Sequence, residues 1–188
     1  MRERILLAGL QLFGAQGYHG TTIREIADAA GIQSASLYSH FAAKEAILAE
    51  LVFLGHDTHH HILLTALLNS GTDPIDQLRS LIAAHVSAHC RYAELGIVSN
   101  YERHHLSAES YAPAAALRER SAQLLADIVV RGKQQGAFQL VDDAVTLGAL
   151  GAFGISALSW YMTNPSVRTP DEVGATYADF ALRMVGAV

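Results

Sequence analysis

The sequence predicts an all-α protein of about nine helices. Runs that alternate apolar with polar residues and are rich in Val, Ile and Thr are nearly absent. Ala and Leu instead recur three and four positions apart, and helix start and stop residues punctuate the chain throughout. Of 188 residues 51% are hydrophobic and 16% charged, enough apolar surface for a substantial core and too little charge for a disordered chain.

The first helix carries Ile5, Leu6, Leu10 and Phe13 on one face and ends at Gly17. Thr22 followed by Glu25 spells a capping box, in which each side chain satisfies the other's orphan N–H, and Ile23, Ile26 and Ala27 form the buried side of the short helix it opens. Gly31 suits a left-handed turn position, Ser34 is placed to cap the next short helix, and Leu37 and Phe41 face inward from it. A long helix is expected from Lys44 to about Leu68, closed by "NSGTDP". Asp73-Pro74 opens the next, because aspartate caps and proline suits the first turn. It carries Leu78, Leu81, Ile82, His85, Val86 and His89. Shorter helical signals cover Glu94 to His104, and a further helix starts near Pro113 and stops at Gly136. Asp142-Asp143 starts an uncharged stretch from Ala144 to Met162, and the last helix runs from about Pro170 to Val185.

The net charge of −5 argues against a surface that binds nucleic acid all over, so any DNA contact must be local. Cys90 is the single cysteine, which excludes an internal disulfide framework and suits a reducing cytosol. The charged, amphipathic N-terminus does not read as a signal peptide. The 19 uncharged residues from Ala144 to Met162 are long enough for a bilayer, yet Asp142 and Asp143 precede them where basic flanks belong. Ala144, Gly148, Ala152 and Ser156 share one face that allows close helix approach. A soluble core helix, buried on all sides, is the expected reading, with no membrane partner.

Residues 21 to 44 concentrate the chemistry. Two short helices flank Gly31, and Gln33, Ser36, Tyr38, Ser39 and His40 are left to point away from Leu37 and Phe41. Side chains of that reach suit phosphates and base edges, and Lys44 begins a helix whose free N–H groups also attract phosphate. This is a helix-turn-helix by its chemistry.

The string resembles the tetracycline-repressor (TetR) family of bacterial transcription regulators. Leu12-Phe13, Gly17-Tyr18, Thr21-Thr22, Ile26-Ala27, Ala30-Gly31-Ile32, Leu37-Tyr38, His40-Phe41 and Lys44-Glu45 carry the likeness. The resemblance implies a DNA-binding domain over residues 1–45 and an effector-binding and dimerisation domain over 46–188. It implies DNA contacts by Thr22, Arg24, Gln33, Ser34, Ser36, Tyr38, His40 and Lys44, with Tyr38 and Lys44 on phosphates. Gln33 departs from the serine usual in the family at that place; glutamine can either pair bidentately with adenine or only cover the helix end.

The implied effector pocket is apolar with a few polar anchors: His85, His89, Tyr92, Tyr101, Leu124, Leu125 and Phe153. The implied dimer interface uses Gly148, Ala152, Tyr177, Phe180 and Met184. The expected protein is therefore a cytoplasmic homodimeric repressor that binds a palindromic double-stranded operator and is released by a small, largely apolar effector. No cofactor is expected. An enzyme is not expected either, since no nucleophile elbow, phosphate loop or dinucleotide fingerprint occurs.

Ten histidines raise a reading from another class, a metal-responsive regulator. His85 and His89 stand four apart beside Cys90, and His59, His60, His61, His104 and His105 are available to approach. No acidic residue accompanies the pair at helical spacing, and no metal ligand is assigned from sequence.

Overall fold

A computed structural model describes residues 1–187. Among them lie nine α-helices, one 3-10 turn and no strand: α1 (Arg2–Gly20), α2 (Ile23–Ala29), α3 (Ser34–Tyr38), α4 (Lys44–Leu68), α5 (Pro74–Arg91), α6 (Ala93–Tyr101), the 3-10 turn Arg103–His105, α7 (Ala108–Gln134), α8 (Asp143–Thr163) and α9 (Pro170–Met184). The chain divides into two compact units. One comprises Met1–Asp57 and Glu94–Leu117, the other Thr58–Ala93 and the chain from Arg118 onward, so that α4 and α7 each contribute to both. These units follow packing and not a single break in the chain.

The first unit is built on Ile5, Phe13, Ile26, Leu37, Phe41, Ile47, Leu48 and Val98, all buried together. The regular helix of α1 stops at Gly17, as its sequence predicts: the residue takes φ 75° and ψ 169°, and a separate turn carries the chain on to Gly20. The 3-10 turn replaces the expected end of α6. Helix α7 starts five residues before Pro113, because Ser107 Oγ accepts from the Ser110 N–H at 3.2 Å and caps it there.

The second unit packs α5 against both α8 and α9. Leu78, Leu81, Ile82, Val86, Leu150, Ala157, Val173, Ala178 and Ala181 form its core with Ile128 and Val129 of α7. Close approach of α5 and α9 depends on Gly174, where a Cβ would stand 2.5 Å from the Ala83 carbonyl oxygen. Helix α8 is long and apolar enough to cross a membrane by length and composition. It buries Thr146, Leu150, Gly154, Ala157 and Leu158. Its other face, with Ala144, Gly148, Ala152, Ser156 and Trp160, is exposed, so within this chain it is covered on one side and not on all.

The apolar positions of α9 also split. Val173 and Ala181 enter the core, Tyr177 is half-buried against Phe153, and Phe180 and Met184 remain exposed.

Candidate functional site

Helices α2 and α3 of the first unit are fixed by local chemistry. The Thr22 hydroxyl accepts from the Glu25 N–H at 3.2 Å, while Glu25 Oε2 accepts from the Thr22 N–H and hydroxyl, both at 2.7 Å. The capping box is complete. Hydrogen bonding by the Thr22 side chain, and then by its backbone, holds the Glu25 carboxyl below its ordinary pKa. After α2 the Ile32 N–H donates to the Ala27 carbonyl at 2.9 Å and Gly31 N–H to the Asp28 carbonyl at 3.0 Å, a Schellman turn.

Gly31 adopts φ +67°, which glycine alone takes at little cost. Arg4 donates to the Ala30 carbonyl here, and a Cβ on Gly31 would meet its Nη2 at 2.7 Å.

One expectation is corrected at the start of α3. Gln33, not Ser34, occupies the N-cap; its side chain makes no capping bond, and Ser34 is the first helical residue. Leu37 is fully buried beneath the helix. Above it Gln33, Ala35, Ser36, Tyr38 and Ser39 are exposed, Tyr38 by 55%. Ser34 and His40 are half-buried. Arg24 is exposed on α2 and lies 3.9 Å from Asp28, one turn along.

Lys44 sits differently from a free phosphate anchor. Its ammonium donates to the Tyr18 and Thr21 carbonyls, each at 2.7 Å, and lies 4.1 Å from the centroid of the Tyr18 ring. Burial lowers its pKa. Lys44 therefore ties the end of α1 to the start of α4, with one of its three N–H bonds left over. Arg2 plays a related part: it donates to the His40 carbonyl at 2.9 Å, pairs with Glu50 and lies over the Phe41 ring. Sequence reasoning missed Arg2 and Arg4, which carry no local signal because their partners lie 26 to 48 residues away.

In the second unit the structure gathers His85, His89 and His59, with ring centroids 4.8 to 5.0 Å apart. His59 Nε2 lies 2.9 Å from His85 Nδ1, and His89 Nδ1 lies 2.9 Å from the His85 carbonyl oxygen. Burial, then His89, lowers the His85 pKa to about 3, against the effect of the Gly151 carbonyl. Burial also lowers that of His89. His60 pairs with Ser121 at 3.0 Å. Cys90 turns into the apolar core, where burial raises its thiol to about 11.

Phe153 packs edge-on to Tyr177 beside this region, and Tyr92 is 45% exposed. Leu125 is buried in the core, whereas Leu124 lines a separate groove of about 410 Å³ with Leu67, Gln77, Asp127 and Arg131. Tyr101, His104 and His105 belong to the first unit; Tyr101 is 44% exposed there, and His105 stacks on Tyr18 at 5.3 Å.

Two family models match the chain in sequence order, and the second spans residues of both packing units. Residues 5–51 match the family model described as bacterial regulatory proteins, tetR family, and residues 71–185 match one described as tetracyclin repressor-like, C-terminal domain. The HTH-type transcriptional repressor KstR2 of Rhodococcus jostii is 29% identical over 185 residues, spanning 96% of this chain and 89% of that protein. The crystal structure of a tetR-family regulatory protein from Rhodococcus RHA1 superposes with a TM-score of 0.92 at 29% identity, covering 100% of this chain and 97% of that one. KstR2 of Mycobacterium tuberculosis, described as a ketosteroid transcriptional regulator, gives 0.85 at 25% identity, covering 97% and 93%.

Proposed function

The chain belongs to the TetR family of bacterial regulatory proteins, and on that premise we propose that it represses transcription by binding a palindromic operator as a homodimer through α3. The carrying observation is the exposed row Gln33, Ser36 and Tyr38 above a fully buried Leu37, on a helix held by the capping box and the Schellman turn. Gln33 and Ser36 read base edges, and Tyr38 contacts phosphate. Thr22, Arg24, Ser34 and His40 flank them. Lys44 contributes its remaining N–H, although most of its work is to hold α1 against α4. Residues 1–45 then form the DNA-binding portion, and 46–188 the portion that binds effector and partner.

The homodimer forms through the exposed faces of α8 and α9, at Gly148, Ala152, Phe180 and Met184, with Tyr177 at their edge. The effector is small and largely apolar, as the name of the ketosteroid regulator supports. His85, His89, Tyr92 and Phe153 are its contacts, and binding favours an arrangement of the two recognition helices that no longer fits the operator.

Selection of bound sequences from a pool of random duplexes tests this reading. The expected result is an inverted repeat whose half-sites lie about one helical turn, roughly 34–36 Å, apart. Recovery of no repeated half-site rejects it.

A further inference from the structure

We infer that His59, His85 and His89 form a binding site for one divalent transition-metal ion of the zinc class. One ring nitrogen from each lies within 4.8 Å of the others. A four-coordinate ion with ligands at about 2.0–2.1 Å holds them roughly 3.3 Å apart. The pair His59 Nε2 and His85 Nδ1, at 2.9 Å, is already near that spacing. The widest pair, at up to 4.8 Å, would close by about 1.5 Å on binding.

The outward nitrogen of His89 is set as a metal-binding histidine needs. His89 Nδ1 faces a carbonyl oxygen, the His85 carbonyl at 2.9 Å, so it carries the proton and leaves the Nε2 lone pair for the ion. His85 Nε2 lies 3.3 Å from the Gly151 carbonyl and 3.1 Å from the Gly154 N–H, contacts that demand opposite tautomers. An ion on Nδ1 selects the first, with Nε2–H donating to Gly151.

Room for the cluster is made by an absent side chain. A Cβ at Gly154 would stand 2.6 Å from His89 Nδ1 and 2.7 Å from His85 Nε2. Three imidazoles without a carboxylate suit zinc, cobalt, nickel or copper and not magnesium or calcium. Three protein ligands also leave a fourth position open to water or to an anionic group of an effector. The site rests on these side chains alone and does not depend on the DNA-binding reading.

The test is a titration of the chelator-stripped full chain with Co(II), followed by Zn(II). One Co(II) per chain is expected at micromolar concentration, with the visible bands of a four-coordinate ion, displaced by one equivalent of Zn(II). His59→Gln and His89→Gln should each weaken binding at least about tenfold with unchanged helical circular dichroism. His104→Ala, in the other unit, should bind as the wild type does. If either glutamine variant fails to fold, Gly154→Ala takes its place, since its methyl group pushes two of the three rings aside. Absence of binding to the wild type, undiminished binding in the folded variants, or loss confined to His104→Ala overturns the site.

Discussion

At the scale of single residues, the first unit separates side chains that hold α3 from those to which the proposed function gives the reading of DNA. Gln33 and Ser36 make no side-chain bond that α3 depends on for its start. Replacing either with alanine should leave stability unchanged and relax preference at particular base pairs by about 1–3 kcal/mol. Tyr38→Ala should weaken binding to all duplexes alike, since a phosphate contact positions without specifying. Affinity measured against a panel of single-base variants separates the two patterns. Lys44→Ala should instead lower the melting temperature, by the equivalent of about 1–2 kcal/mol, because two carbonyls and the Tyr18 ring lose their cation. Melting followed by circular dichroism checks it.

The capping pair adds a pH dependence. Glu25 has its pKa lowered in the folded state, so its contribution is fully present above the ordinary value of 4.5 and is lost as pH falls through the depressed one. The melting-temperature gap between wild type and Glu25→Gln should therefore narrow on acidification below 4.5. A gap that stays constant to the lowest pH reached contradicts the assignment.

At the scale of elements, Gly31 and α8 make opposite predictions. Gly31→Ala forces a side chain into φ +67° and against Arg4, so the first unit should lose about 1–2 kcal/mol and operator binding with it. Gly148→Arg should cost the second unit little, because nothing lies within 4 Å of a Cβ there. It should break the proposed dimer by setting a charge where two backbones approach.

What was legible in the sequence follows the range of the interaction. Thr22 with Glu25, and Asp73 before Pro74, announce their helices because each cap is closed within three residues. The start of α7 lies before Pro113 because Ser107 caps it, a bond as local as the first-turn proline signal that points to Pro113. Ser34 reads as the cap in the sequence because Gln33 enters that position through its backbone and leaves no side-chain signature. The clamp by Lys44 and the approach of His59 to His85 required tertiary packing across 23 to 26 residues, which no spacing rule encodes. The outward Phe180 and inward Ala181 on α9 are adjacent in sequence, and only the placement of α5 separates them.

At the scale of the whole molecule, the difficulty is that a chain with a net charge of −5 must hold a polyanion. A single α3, with Arg24 the exposed cation on the neighbouring helix, offers little electrostatic attraction. Two copies related by a two-fold axis double the contacts without doubling the cost of ordering the site, and they match an inverted repeat by symmetry. Trp160, Met162, Phe180 and Met184 are exposed, and the proposed pairing would cover them. The most direct measurement is light scattering on the wild type and on Gly148→Arg, each alone and with the selected duplex. A wild-type dimer at micromolar concentration, two chains on each duplex, and a folded Gly148→Arg monomer that no longer binds are the expected results. A wild type that is monomeric in solution and places one chain on the duplex would contradict the proposed dimer.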